Sequence, residues 1–99
     1  MREVVTGFQQ LSAAELAAAV APTIPAGTRL IRCQAESANV RYRNDGSDPT
    51  TAVGMIVLNG AHQPHEIHQP GFPNLKFIAE SGSPKLNITY YGQAVSATS

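Results

Sequence analysis

The chain has no tryptophan, a single cysteine and no excess of either charge. With Cys33 alone, no disulfide forms within the chain, and its place in an apolar, strand-like run is that of a buried, inert thiol. Seven basic residues balance seven acidic ones, and the arginines are dispersed, so the concentrated positive surface that nucleic acid requires is missing. No apolar run approaches the roughly 20 residues of a helical membrane span. There is no glycine-rich phosphate loop, and no serine, cysteine or histidine arrangement resembles a nucleophile motif. The expectation is therefore a protein that is not an enzyme and needs no cofactor. Met1-Arg2-Glu3 does not open a signal peptide, which leads us to expect a chain made and kept reduced in a cytoplasm, where the Asn87-Ile88-Thr89 sequon meets no glycosylation enzyme.

At 99 residues the chain is expected to form one domain that buries roughly 60 to 70 per cent of its unfolded surface. Its most informative stretch is Leu75 to Tyr91. Leu75, Phe77 and Ala79 share one strand face, and Leu86, Ile88 and Tyr90 share one face of the next run. With Ser81 to Pro84 as a four-residue loop, a hairpin would set Phe77 opposite Ile88 and Leu75 opposite Tyr90, all on one side. This predicts a half-buried antiparallel sheet.

Other segments carry similar signals. Thr28 to Glu36 reads as a strand with Ile31, Cys33 and Ala35 inward and Leu30, Arg32, Gln34 and Glu36 outward. Val40 and Tyr42 alternate with Arg41 and Arg43 in a second strand. Asp45-Gly46 and Asp48-Pro49 mark a long connection up to Gly54. Met55 to Leu58, a continuous apolar run, suits a central strand covered on both sides, with Asn59-Gly60 as its turn. Pro64 to His68 is a short strand at a sheet edge or an exposed loop. Ser12 and Glu15 have capping-box spacing, so one or two helical turns compete with extended chain over Ser12 to Val20. Val4 to Gln10 is a strand broken at Gly7, or an arm (residues 1–11) reaching a neighbouring subunit, and residues 92–99 read as a loose tail. About eight short strands with closely spaced turns predict an all-β, antiparallel, jelly-roll-like β-sandwich.

Metal-ligand types cluster only at His62, His65 and His68, beside Glu66. A spacing of three along a strand sends neighbouring histidines to opposite faces, so no metal site is expected. Asp45, Ser47 and Asp48 do not follow the calcium-loop pattern. Arg41 and Arg43 share a face and offer a cationic contact to an acidic surface.

The run AESANVRYRNDGSDPTTAVGM, Ala35 to Met55, followed by LKFIAESGSPKLNITYY, resembles a group of small proteins encoded among the virion genes of tailed bacteriophages and prophages. The likeness covers a little over half the chain, with Tyr42 where tryptophan is expected and a longer segment from Ala61 to Asn74. It implies a structural virion protein assembled in the bacterial cytoplasm, foremost a head decoration or cement protein bound to the major capsid protein, otherwise a head-to-tail connector, collar or fibre component. From another class, a small β-sandwich can bind carbohydrate, which requires aromatic platforms on a loop, where Phe72 is the clear candidate. Val4, Val5, Phe8 and Leu11 have no place in the hairpin, so their burial on a neighbour is expected, in a homotrimer suited to a lattice with local threefold positions.

Overall fold

The structure, a computed structural model, describes residues 3–69 and 72–93. Among the described residues the chain is all-β, with seven strands: β1 (Glu3–Leu11), β2 (Thr28–Glu36), β3 (Val40–Arg43), β4 (Met55–Val57), β5 (His65–His68), β6 (Lys76–Ala79) and β7 (Lys85–Gln93). Two antiparallel sheets result, one ordered β1-β7-β2-β5 and the other β4-β3-β6. Period-two alternation explains how they meet. Leu11, Ile31, Cys33, Ala35, Leu86, Ile88 and Tyr90 point inward from the larger sheet, and Val40, Tyr42, Val57 and Phe77 from the smaller one, into a common core.

The inward residues of Leu75 to Tyr91 are those the alternation predicts, but the hairpin is not formed. β6 pairs with β3, setting Phe77 opposite Tyr42, whereas β7 pairs with β1 and β2, setting Ile88 opposite Gln9 and Cys33. The Ser81–Pro84 link crosses from one sheet to the other. Pro84 lies buried at the crossing, where it offers no N–H to a neighbouring strand. The Glu80 amide donates to the Asn39 carbonyl at 3.0 Å, and Lys85 stands opposite Glu36.

Residues 3–11 form no separate arm. From Glu3 onward they make the outer strand of the chain's own larger sheet, with a bulge between Val5 and Gly7; Met1 and Arg2 lie outside the described residues. At the other end β7 runs through Gly92 and Gln93, two residues into the expected tail, and residues 94–99 are outside those described. β4 is an edge strand rather than a covered central one: Val57 is buried, while Met55 and Leu58 are 60% and 58% exposed. The helical signal at Ser12 resolves into a single 3-10 turn, Glu15–Ala17. Its capping box is reciprocal: the Ser12 amide donates to Glu15 Oε1 at 2.9 Å and the Glu15 amide to Ser12 Oγ at 3.2 Å. That turn presses Leu16 into the core.

Candidate docking surface

The larger sheet turns its second face outward, and the register places side chains on it in rows. One row runs Phe8, Thr89, Arg32, Glu66, and the next runs Val5, Tyr91, Leu30, His68. Val5 and Phe8 fall on the same face, three positions apart, because the bulge inserts one residue between them. Both are 63% exposed. Leu30, outward as expected, is nevertheless buried between its partners Tyr91 and His68. The Arg32 guanidinium lies 4.8 Å from the centre of the Tyr91 ring, a cation–π contact, and its Nε donates to Glu66 Oε2 at 2.9 Å. The Arg32 hydrogen bond holds the Glu66 carboxyl below its ordinary range. Towards the other end Gln10 donates to Asn87 Oδ1 at 2.8 Å, and Asn87 in turn bonds Glu36. An apolar area at Val5, Phe8 and Tyr91 is thus rimmed by polar groups already paired among themselves.

The structure separates the four N-terminal contact candidates. Val5 and Phe8 are presented to solvent, Val4 is half-buried, and Leu11 is 1% exposed within the core. Leu11 is therefore no contact residue; an offset of three along the strand puts it on the face opposite Phe8. Arg41 and Arg43 do share the outer face of β3, but each is held within the chain. Arg41 donates from Nη1 to the Gly54 carbonyl at 3.0 Å, and its Nη2 meets Glu80 Oε2 at 2.8 Å as an ion pair by distance rather than an aligned hydrogen bond. Arg43 forms a two-pronged contact with Asp45, Nε to Oδ1 at 3.0 Å, which lowers the Asp45 pKa. Their role in the fold is to fasten the β3–β4 connection.

Histidine spacing works as expected on β5. His65 turns toward the core edge, and His68 turns out beside Glu66, 3.4 Å away. No three His, Cys, Asp or Glu side chains converge as a metal-binding group among the described residues. The Tyr42 hydroxyl and His65 Nε2 are 2.7 Å apart. Burial pushes the His65 pKa down and the Tyr42 pKa up, which favours the neutral form of both partners. Cys33 donates to the His65 carbonyl at 3.6 Å, and burial lifts its thiol to about 12, which leaves it protonated and without nucleophilic use at neutral pH. Beside these groups a cavity of about 220 Å³ opens between the sheets, lined by Cys33, Ile56, Val57, Leu58, Pro64 and His65 among others. Phe72, the loop aromatic a sugar platform would need, packs half-buried against the core.

A depressed histidine pKa ties stability to pH. Below the ordinary value of 6.5 the unfolded chain takes up the proton that folded His65 resists, so stability is complete above that value and falls as pH falls through it. The melting temperature should drop between about pH 7.5 and pH 5.5, and His65→Gln should flatten the profile in that window. Glu66 and Asp45, both held below the usual carboxylate range, stay ionised there. An unchanged slope in the variant would remove His65 as the cause.

What the sequence did not disclose is the apolar pairing of Leu30 with Tyr91 on an outward face, and the exposure of β4. The first had a signal, since Leu30 and Tyr91 are apolar at outward parity; the apolar run of β4 fits burial and exposure alike. The chain matches no family model, no curated protein and no solved structure.

Proposed function

We propose that this protein is a non-catalytic structural component of a tailed-phage virion: a head decoration or cement protein that binds across neighbouring major capsid subunits. The likeness of the Ala35 to Tyr91 segment to phage virion proteins supports the particle. Exposure of Val5 and Phe8 on the larger sheet's outer face carries the mechanism, because a strand paired along its length to β7 presents them on a fixed surface and binding orders little of the chain. Two antiparallel sheets around one core are read as a jelly-roll-like β-sandwich, a stiff block for such a role. Contacts repeated over many copies sum through effective concentration, so each one is weak while the shell gains much.

The test uses heads purified from the phage or induced prophage that encodes the chain. The full-length protein should remain on heads at high copy number through sedimentation, and Val5→Lys with Phe8→Lys should release it, weakening binding at least about tenfold through loss of a desolvated apolar centre. Protein confined to the tail in a few copies would replace the cement reading with the connector or fibre one. Absence from particles altogether would end the virion reading.

A further inference from the structure

We propose that the protein pairs with a second copy of itself through the free edge of β4, antiparallel about a twofold axis, joining two three-stranded sheets into one of six. Four strands end the two sheets, and three of them are protected. β6 is closed by Val20, whose amide donates to the Phe77 carbonyl at 2.9 Å and whose carbonyl accepts from Phe77 at 2.8 Å. β5 carries Glu66, tied to Arg32. β1 is bent by its bulge, with Pro25 packed so closely beneath Gly7 that a Cβ there would lie 2.9 Å from its ring. Bulges, charges and covering segments are the means by which native sheets avoid edge pairing. Among the described residues β4 has none of them. It is Met-Ile-Val, inside a stretch from Pro49 to His65 without an acidic, lysine or arginine side chain.

The exposure is concentrated where pairing would cover it. Val53, Met55, Ile56 and Leu58 are 50%, 60%, 38% and 58% exposed. Self-pairing of this stretch sets no like charges against each other. Shape agrees as well. With Ile56 opposite the partner's Ile56, Met55 stands opposite the partner's Val57 on the core side of the extended sheet. Beside each Val57 lies the 220 Å³ cavity between the sheets. An unbranched, flexible methionine is suited to fill such a gap, and the twofold fills both cavities with the two Met55 side chains. Interfaces of ordinary size take about 800 Å² from each partner. Four partly exposed side chains supply less, so the dimer is concentration-dependent. The trimer expected from sequence needs contact between two different patches, whereas a strand edge pairing with itself closes at two.

Sedimentation of the full chain over about 1 to 100 µM spans dissociation constants in the micromolar range. The expected result is a reversible species of twice 10.5 kDa, with Met55→Lys and Leu58→Lys each raising the dissociation constant at least tenfold and Phe8→Lys leaving it unchanged. Thermal midpoints measured at the lowest concentration show whether each variant keeps its fold; Leu58, more than half exposed, stands in if the Met55 variant does not. A monomer throughout, a trimer, or a dimer that survives both β4 variants overturns the proposal, as does one dissolved by Phe8→Lys.

Discussion

Replacing Phe77 by alanine is expected to cost about 3–5 kcal/mol, the usual penalty for emptying a buried aromatic site. In a domain whose whole stability is roughly 5–15 kcal/mol, that takes the variant to the margin of folding. The expectation rests on position. Phe77 is fully buried, its ring centre lies 5.8 Å from that of Tyr42 across the β3–β6 pair, and its backbone is bonded on the other side to Val20. The side chain thus fills the core beneath the edge of the smaller sheet, while the backbone of the same residue holds the segment at Val20. Urea denaturation should show the midpoint fall steeply, while Ile78→Ala, half-buried on the outer face of the same strand, should cost far less. A double-mutant cycle adds a test of topology. Phe77 and Tyr42, as cross-strand neighbours, should couple by about 0.5–1.5 kcal/mol. No measurable coupling would contradict the pairing of β6 with β3.

The same residue marks how far sequence reasoning reaches. Alternation correctly placed Phe77, Leu86, Ile88 and Tyr90 in the core, because side-chain parity is local. Sheet membership is not local. Two strands of matching parity joined by four residues satisfy a hairpin within one sheet or a crossing between two, and only the competition of β3 for β6 and of β1 and β2 for β7 decides between them. β2 came through whole, its bounds and inward residues Ile31, Cys33 and Ala35 as read from the pattern, since nine alternating residues leave little freedom. At β4 a short apolar run fitted two-sided burial and an exposed edge equally well; neighbours, not composition, settle that choice. The outer face of the larger sheet was half legible. Val5 and Phe8 share it only through a bulge whose one hint in sequence is Gly7, and the same arithmetic that turns Phe8 out turns Leu11 in.

Gly54→Ala is the substitution expected to damage fold and association together. Its φ is +146°, where side chains are strained, and a Cβ would stand 2.9 Å from the Tyr42 carbonyl oxygen and 3.2 Å from Arg41 Cβ. Backbone strain of about 1–3 kcal/mol adds to an overpacking cost of similar size, and neither neighbour yields easily. Tyr42 is held in β3 between two strands, and Arg41 is anchored to Glu80 and to the Gly54 carbonyl. The cheapest relief is for residues 54 and 55 to move off β3, which breaks the Tyr42–Met55 pair and removes the edge that presents Met55. Gly46 supplies the control, since its φ is also positive, +93°, but a Cβ there meets nothing within 4 Å. Gly46→Ala should therefore cost only the strain of its backbone and leave self-association intact. Gly54→Ala should lower the urea midpoint several times further and shift the sedimentation profile to monomer. Equal effects at the two glycines would mean that the close approach of Gly54 to β3 does not hold β4 in place, and the edge proposed for self-pairing would lose its support.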